Sequence, residues 1–260
     1  MILAAALAAM VITTAFSTEA RATQSFNEFL QNYYQETYGD DAPPLLWWAN
    51  DGEVAPIKGT AEDDKIKSGR GNDMINGNWG DDRIWDGRGN NTLHGGRDQD
   101  RIRGERGNDF LYDGMENDLL YGGEGTDYLD GELGNDRLYG GPGNDWLIGH
   151  MGSDYLREGT GSNVMIGGCN SPEYPDYNGG DYKDTFDLKG NRDGDHDIIV
   201  AHRNDDIMSQ FDGVSNIGIN EVSMPSLTIN GQVFTLHRSP FDTSAHRVNG
   251  ADIIYFRETK

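Results

Sequence analysis

The sequence predicts an all-β fold, built from short strands and tight turns that repeat along the chain. Residues 59–166 divide into twelve blocks of nine residues with no insertion, 108 residues in total. The eighth position is aliphatic or Met in all twelve blocks, and the sixth position is Asp in ten of them. Two residue classes that stay in phase over this length indicate a stacked repeat architecture.

Each block divides into a turn and a strand. The blocks at residues 122–130 and 140–148 place Gly at positions one, two and four. Gly tolerates positive φ and lets backbones approach closely, so these positions predict a tight turn that needs such conformations. The last three positions predict a short strand, with one aliphatic side chain directed inward and two side chains directed outward.

The block pattern resembles the RTX, or hemolysin-type, calcium-binding nonapeptide repeats. Gly122–Asp130 and Gly140–Ile148 carry the resemblance most clearly, at their glycines, their sixth-position Asp and their aliphatic eighth position. The resemblance covers 108 of the 260 residues. It implies a right-handed parallel β-roll in which two nonapeptides form one coil and Ca²⁺ ions lie between the turns of successive coils.

The same resemblance implies that sixth-position aspartates and turn carbonyls hold the calcium. Carboxylate and carbonyl oxygens are hard donors that suit Ca²⁺ rather than Zn²⁺. Asn91 and Asn163 replace Asp at the sixth position. Calcium binding beside them is expected to be weaker because the amide has no charge, but it is not expected to be lost because the amide still offers a carbonyl oxygen. The expected ligands are the residues Asp64, Asp73, Asp82, Asp100, Asp109, Asp118, Asp127, Asp136, Asp145, Asp154, Gly71, Gly107, Gly125 and Gly143.

Stacking of the blocks brings like charges together. Equivalent aspartates of successive coils lie ~4.8 Å apart, and each adjacent pair repels by ~3.5 kcal/mol at an effective dielectric constant of ~20. A Ca²⁺ ion between two carboxylates turns this repulsion into attraction. Folding and calcium binding are therefore expected to be one event.

Two blocks per coil place the odd-numbered and even-numbered blocks on opposite sides of the roll. Outward strand positions of the odd side are basic and aromatic, whereas those of the even side are mostly apolar. Arginine rows beside aromatic rings suit an anionic polysaccharide, through charge-assisted hydrogen bonds and ring stacking. The alternative is that they only offset the acidic turns and stabilise the sheet. The candidate ligand-binding residues are Arg83, Trp85, Arg101, Arg103, Tyr121, Arg137 and Tyr139.

The apolar even side needs a cover, since exposed apolar patches of that extent are uncommon in monomers. Ser25–Tyr38 begins with a capping box and carries aromatic residues at helical spacing, which predicts a short helix. Packing on the end of the roll and binding of a partner are two alternatives for this helix.

The chain begins with an apolar segment. Residues 2–16 are almost uncharged and are followed by Ala20-Arg21-Ala22, a pattern typical of a cleaved secretion signal. The run of 15 residues is short for a membrane span. The alternative is an apolar helix that packs on the domain.

After Cys169 the nine-residue phase breaks, and a small β cap is expected to close the end of the roll. Residues 179–187 resemble a detached, degenerate repeat, residues 227–234 predict a hairpin with a tight turn, and residues 253–256 predict a terminal strand. In RTX-like proteins this region often carries an uncleaved secretion signal, an alternative to the N-terminal one. The predicted domains are 1–22, a signal-like segment; 23–58, an N-terminal helical cap; 59–168, the calcium-binding β-roll; and 169–260, a C-terminal β cap.

Composition and the absence of catalytic motifs exclude several classes of function. A formal net charge of −23 argues against nucleic acid as a partner and favours metal cations. The single cysteine, Cys169, excludes an internal disulfide, so calcium is expected to stabilise the fold in place of a disulfide. The sequence contains neither an H-E-x-x-H nor a G-x-S-x-G motif, and residues 23–58 are too few for a catalytic domain.

Three functional hypotheses fit these observations. The favoured one is a secreted, extracellular calcium-binding β-roll with a structural or adhesive role and no enzymatic activity, whose partners are several calcium ions. The second is a module that binds an anionic polysaccharide or cell-surface glycan through the basic and aromatic face. The third is an enzyme that modifies such a polymer.

Overall fold

The computed structural model is an all-β solenoid of two long sheets, whose strands are parallel throughout the repeats and between which the chain alternates. It describes residues 46–48, 56–168, 184–188, 197–202, 206–208, 215–217, 226–229, 231–235, 242–248 and 252–257. Within these residues there is no helix, and none that could span a membrane. The predicted helix at Ser25–Tyr38 and the apolar segment at residues 1–22 lie outside them.

The two long sheets collect alternate repeats. In sheet order, the nine-stranded odd sheet consists of β1 (Leu46–Trp48), β3 (Lys65–Lys67), β5 (Arg83–Trp85), β7 (Arg101–Arg106), β9 (Leu119–Glu124), β11 (Arg137–Tyr139), β13 (Tyr155–Arg157), β15 (Thr185–Asp187) and β17 (Asp206–Met208). The eleven-stranded even sheet runs from β2 (Pro56–Lys58) through β4 (Met74–Asn78), β6 (Thr92–Gly96), β8 (Phe110–Gly114), β10 (Tyr128–Asp130), β12 (Trp146–His150), β14 (Val164–Gly168), β16 (Ile198–His202), β22 (Asp252–Arg257) and β21 (Asp242–Val248) to β18 (Ser215–Ile217).

The pairing register follows from the period of nine. Leu111 pairs with Leu129 and Leu129 with Leu147 in parallel, so equivalent residues of every second repeat are neighbours. All twelve eighth-position side chains have 0% exposure and form one continuous apolar column, because the inward position of each strand faces the opposite sheet. The predicted parallel β-roll with two nonapeptides per coil is therefore confirmed.

The turns show why different positions carry glycine. Within the repeats, positive φ occurs at positions two and four, for example at Gly123 (119°) and Gly125 (145°), and at no position one. Of the two reasons predicted for glycine, positive φ therefore does not apply at position one, whereas close approach does. Glycine stands there for lack of space, because a Cβ atom at Gly122 would lie 2.5 Å from Oδ2 of Asp127 in the same repeat. Close approach, and not backbone conformation, selects this glycine.

The parallel stacking continues past Gly168. Strand β15 pairs in register with β13, and the side chain of Phe186 is fully buried at the eighth position, as the degenerate repeat at residues 179–187 predicts. Strand β16 extends the even sheet in the same way. The predicted hairpin is confirmed as β19 (Ser226–Ile229) paired antiparallel with β20 (Gln232–Thr235), with Gly231 at a φ of 83°.

The outward side of the even sheet is not uniformly open. Towards its C-terminal end Trp146, Ile148, Val164 and Ile166 are all buried, whereas Met74 near its start is 53% exposed. The apolar residues of the even side are thus shielded from solvent towards the C-terminal end, which is where most of them lie.

Candidate metal centre

The sixth-position residues form two side-chain ladders, one along each row of turns. Oδ1 of each residue after the first accepts a hydrogen bond from the backbone N–H of the sixth-position residue one coil earlier; Asp127 N–H donates to Asp145 Oδ1 at 2.9 Å. The odd ladder joins Asp64, Asp82, Asp100, Asp118, Asp136, Asp154 and Asp184, and the even ladder joins Asp73, Asn91, Asp109, Asp127, Asp145, Asn163 and Asp197.

The second carboxylate oxygen of most ladder aspartates has no donor. Nine of the ten predicted aspartates keep a buried Oδ2 without a hydrogen-bond partner: Asp73, Asp82, Asp100, Asp109, Asp118, Asp127, Asp136, Asp145 and Asp154. A buried carboxylate oxygen without a partner is costly, so native structures rarely leave one unmatched. Rows of hard oxygen donors of this kind fit Ca²⁺.

Asp64, at the N-terminal end of the odd ladder, differs from the others. Its Oδ2 accepts hydrogen bonds from the backbone N–H of Thr60 at 2.6 Å and from the Thr60 hydroxyl at 3.2 Å. The Asp64 carboxylate therefore accepts more hydrogen bonds from the protein than the later aspartates of the ladder do. It depends less on a cation to compensate its charge.

Burial governs the electrostatics of the ladders. Desolvation raises the pKa of Asp145 to about 8, and repulsion from Asp127 adds to the rise. Desolvation likewise raises the pKa of Asp100 and of Asp154 to about 9, although each accepts a backbone hydrogen bond that acts in the opposite direction. Without a cation the interior therefore favours the protonated form of these carboxylates.

The fourth-position carbonyls predicted as ligands lie in the even turns at Gly71, Gly107, Gly125 and Gly143. Each carbonyl oxygen points at the Cα of the fourth-position glycine one coil later, where a Cβ atom would lie 1.5–1.9 Å away. A groove along these turns is lined by Gly125, Gly143 and Gly161 together with polar side chains of the turns. The structure thus brings these carbonyls into one row beside the even ladder.

The two asparagines of the even ladder donate hydrogen bonds to backbone carbonyls of their own turns. Asn91 Oδ1 accepts the N–H of Asp73, and its Nδ2 donates to the carbonyl of Gly89 and to Oδ1 of Asp109. Asn163 Nδ2 donates in the same way to the carbonyl of Gly161 at 3.1 Å. In these two turns the amide nitrogen therefore donates to the fourth-position carbonyl. In the turns with Asp at the sixth position no amide competes with a cation for that carbonyl.

Two groups of acidic residues at the ladders are not among the predicted ligands. Asp184 and Asp197 end the two ladders, and the sequence signal for Asp184 was its sixth place in the degenerate repeat. Asp86, Asp113 and Glu158 occupy position one and are buried, and Asp86 and Asp113 each keep an Oδ2 without a hydrogen bond. Their signal was the replacement of glycine at a position where glycine predominates.

The outward side of the odd sheet, here called the odd face, has the predicted two columns. Arg83 pairs with Arg101 in the first column. In the second, the Arg103 guanidinium lies 4.9 Å from the centre of the Tyr121 ring, which stacks at 4.7 Å on Tyr139. Trp85 and Arg157 extend this second column, and Arg137 belongs to the first.

Comparison with known families agrees with this geometry. A family model described as the RTX calcium-binding nonapeptide repeat, with four copies, matches at residues 57–84, 76–111, 111–138, 121–156 and 130–165. No curated protein matches the chain.

Proposed function

The chain carries RTX calcium-binding nonapeptide repeats over residues 57–165, and from this premise we propose that it is a secreted protein whose β-roll folds only when calcium binds. Its role is structural or adhesive and not catalytic. The observation that carries the proposal is the row of buried Oδ2 atoms without partners in both ladders. Such a fold lacks the counter-charge it needs until cations arrive.

The ligands in this proposal are the sixth-position aspartates and the fourth-position carbonyls of the even turns. When bound, Ca²⁺ supplies the positive charge that holds successive turns together. The chain's own contribution is to fix each Oδ1 in the ladder of the folded roll, which leaves the Oδ2 to face the ion.

The test is a calcium titration of metal-free protein followed by circular dichroism. We expect a cooperative rise of β signal at roughly 0.1–1 mM Ca²⁺, the range of extracellular modules. Asp127→Ala should require more calcium for the same signal. Glu124→Gln is the matched control, because Glu124 lies in the same repeat but is exposed and pairs with Arg106. Equal shifts in both variants would contradict the ligand assignment.

Secretion is tested separately, by following the protein in cell and medium fractions. Deletion of residues 2–22 should retain the protein in cells if the N-terminal segment is the signal. Deletion of residues 203–260 should do so if the signal is C-terminal. Secretion that survives both deletions would contradict both signals.

A second candidate function, binding of an anionic polysaccharide, is favoured by the odd face. Arg83, Arg101 and Arg137 are exposed and have no ion pair within the described residues, so their guanidinium donors are free for a carboxylated or sulfated chain. The Tyr121 and Tyr139 rings offer a stacking surface beside them. The acidic turns repel a polyanion, so binding should require calcium and weaken with salt.

Retention on an alginate or pectate matrix tests this function. Replacement of Arg83, Arg101 and Arg103 by Ser should abolish retention while calcium-induced folding survives. A variant with the same loss of charge in the turns serves as control, with Ser at Arg70, Arg88 and Arg97. Retention unaffected by the first set would leave the odd face without this role, and release of shortened polymer would instead reveal an enzyme.

A further inference from the structure

Position one of the repeats faces the space that the unpartnered Oδ2 atoms occupy. Eight repeats have glycine there, and a Cβ atom on any of these glycines would lie 2.1–3.0 Å from Oδ2 of the sixth-position Asp in the same repeat. A side chain at position one therefore enters the interior of the turn, beside the ladder, and not the solvent.

Four repeats place a side chain there. Asp86 and Glu158 belong to the two repeats whose sixth position is Asn, so each of those repeats still has one acid at these two positions. Ser68 donates a hydrogen bond to Asp86. Asp113 is different, because its repeat also carries Asp118 at the sixth position and so has one carboxylate more than any other repeat at positions one and six.

Asp113 is fully buried and only half satisfied. Its Oδ1 accepts the backbone N–H of Gly114 at 2.7 Å, whereas its Oδ2 has no partner. The side chain has 0% exposure, so bulk solvent does not reach this oxygen. This oxygen is an acceptor built into the interior with nothing from the protein to match it.

Two further carboxylates, each with an Oδ2 that has no hydrogen bond, lie close to Asp113. Asp118 belongs to the same repeat and Asp136 to the odd repeat one coil later; one carboxylate oxygen of each of the three residues lies within 4.8 Å of the others. All three residues are buried and each has an Oδ2 without a hydrogen bond. Desolvation, followed by repulsion from Asp136 and Asp118, raises the pKa of Asp113 well above its usual range.

We propose that Asp113, Asp118 and Asp136 form a cation site of their own, distinct in composition from the ordinary turns because Asp113 adds a carboxylate at position one to a repeat that already has Asp at position six. Three hard carboxylates select Ca²⁺ or a trivalent lanthanide and not Zn²⁺. Affinity for such ions rises with the number of charged ligands. This site is therefore the tightest among the described residues and the last of them to lose its ion.

The inference goes beyond the proposed calcium-coupled folding, because it concerns one site that the repeat pattern does not contain. Ordinary turns combine one carboxylate per repeat with backbone carbonyls. Here the surplus carboxylate leaves a net negative charge around a divalent ion and none around a trivalent one.

Calcium binding to the full-length protein, measured by equilibrium dialysis and calorimetry, tests the site. Asp113→Gly installs the residue that most repeats carry at position one, so the roll should fold. We expect it to bind one ion fewer, or its tightest dissociation constant to rise by about tenfold or more. Asp113→Asn, which keeps the side-chain size, should behave likewise.

Glu116→Gly is the matched control. It removes one negative charge from the same repeat, outside the cluster, at a φ of 82° that glycine adopts readily. Its stoichiometry and tightest affinity should equal those of the parent protein. If Asp113→Gly, Glu116→Gly and the parent bind the same number of ions equally well, the site does not exist, although calcium-coupled folding stands. A parent protein that binds no calcium would overturn both.

Discussion

Removal of calcium should unfold the roll at neutral pH, and mild acid should restore part of the fold. The ladder aspartates are buried and close to one another, so the folded chain without cations tolerates them only when they are protonated. The metal-free fold should therefore be weakest where aspartates are ionised in the unfolded chain, that is, at neutral and alkaline pH.

The magnitude follows from the pKa values. Burial raises the pKa of Asp145 from 3.8 to about 8 and that of Asp154 from 3.8 to about 9. Because each folded value lies above the unfolded one, the folded chain holds protons that the unfolded chain releases. At pH 7 each such aspartate thus destabilises the metal-free fold by roughly 4 kcal/mol. Two of them offset much of the ~5–15 kcal/mol by which domains are stable.

The upward direction of the pKa shifts defines the pH range in which the metal-free fold is destabilised. The cost is absent below about pH 4, grows as the pH rises above the unfolded value, and is complete once the pH passes the folded values near 8 and 9. Bound Ca²⁺ reverses the trend, because protons then compete with the ion for the carboxylates.

The assay is circular dichroism and thermal melting of dialysed, metal-free protein at pH 5 and pH 8, with a calcium-saturated sample at each pH. Metal-free protein should show more β signal at pH 5, and calcium-saturated protein should melt higher at pH 8. If the metal-free protein at pH 8 matches the calcium-saturated one, or melts higher than at pH 5, the electrostatic reasoning is wrong.

Three substitutions test other parts of the structure. Asn91→Asp should add a calcium ligand in place of the amide that holds a turn carbonyl, and so should raise the calcium stoichiometry by dialysis; an unchanged count would refute this. Leu129→Ala should cost about 2–5 kcal/mol of unfolding free energy in calcium, clearly more than Leu133→Ala, whose side chain is 39% exposed; equal costs would contradict the assigned core. Gly125→Ala should prevent calcium-induced β signal, since its Cβ would lie 1.6 Å from the Gly107 carbonyl oxygen; normal folding would show that the turn can shift.

The period of nine was enough to predict the strands, their parallel partners and the buried column. A strand of three residues has one inward position, and an aliphatic residue in that place in every repeat leaves no other register. Leu111, Leu129 and Leu147 accordingly stack in the predicted order. The odd-face columns followed from the same register, because outward residues stack wherever inward residues do.

The site was only partly predictable. Its sixth-position aspartates were found as oxygen donors, but their Oδ1 bonds to backbone N–H groups were not. The presence of only Asp or Asn at that position was the available hint, since both offer Oδ1. Asp113 was missed because glycine at position one was interpreted only as a turn residue that allows positive φ or a close approach of backbones. What matters there is the space beside Oδ2, which depends on three-dimensional packing and not on the repeat alone.

The Oδ1 ladder also gives the roll a direction. Every rung is donated by one repeat and accepted by a residue that is synthesised later, at a separation of 18 residues in the regular part. Each coil is thus finished by its successor, and the N–H groups of Asp154 and Asn163 find their acceptors only in Asp184 and Asp197. A growing or emerging chain cannot complete its first coils until later ones follow. A roll cut short after any coil would therefore leave the sixth-position N–H groups of its last coil without their acceptors.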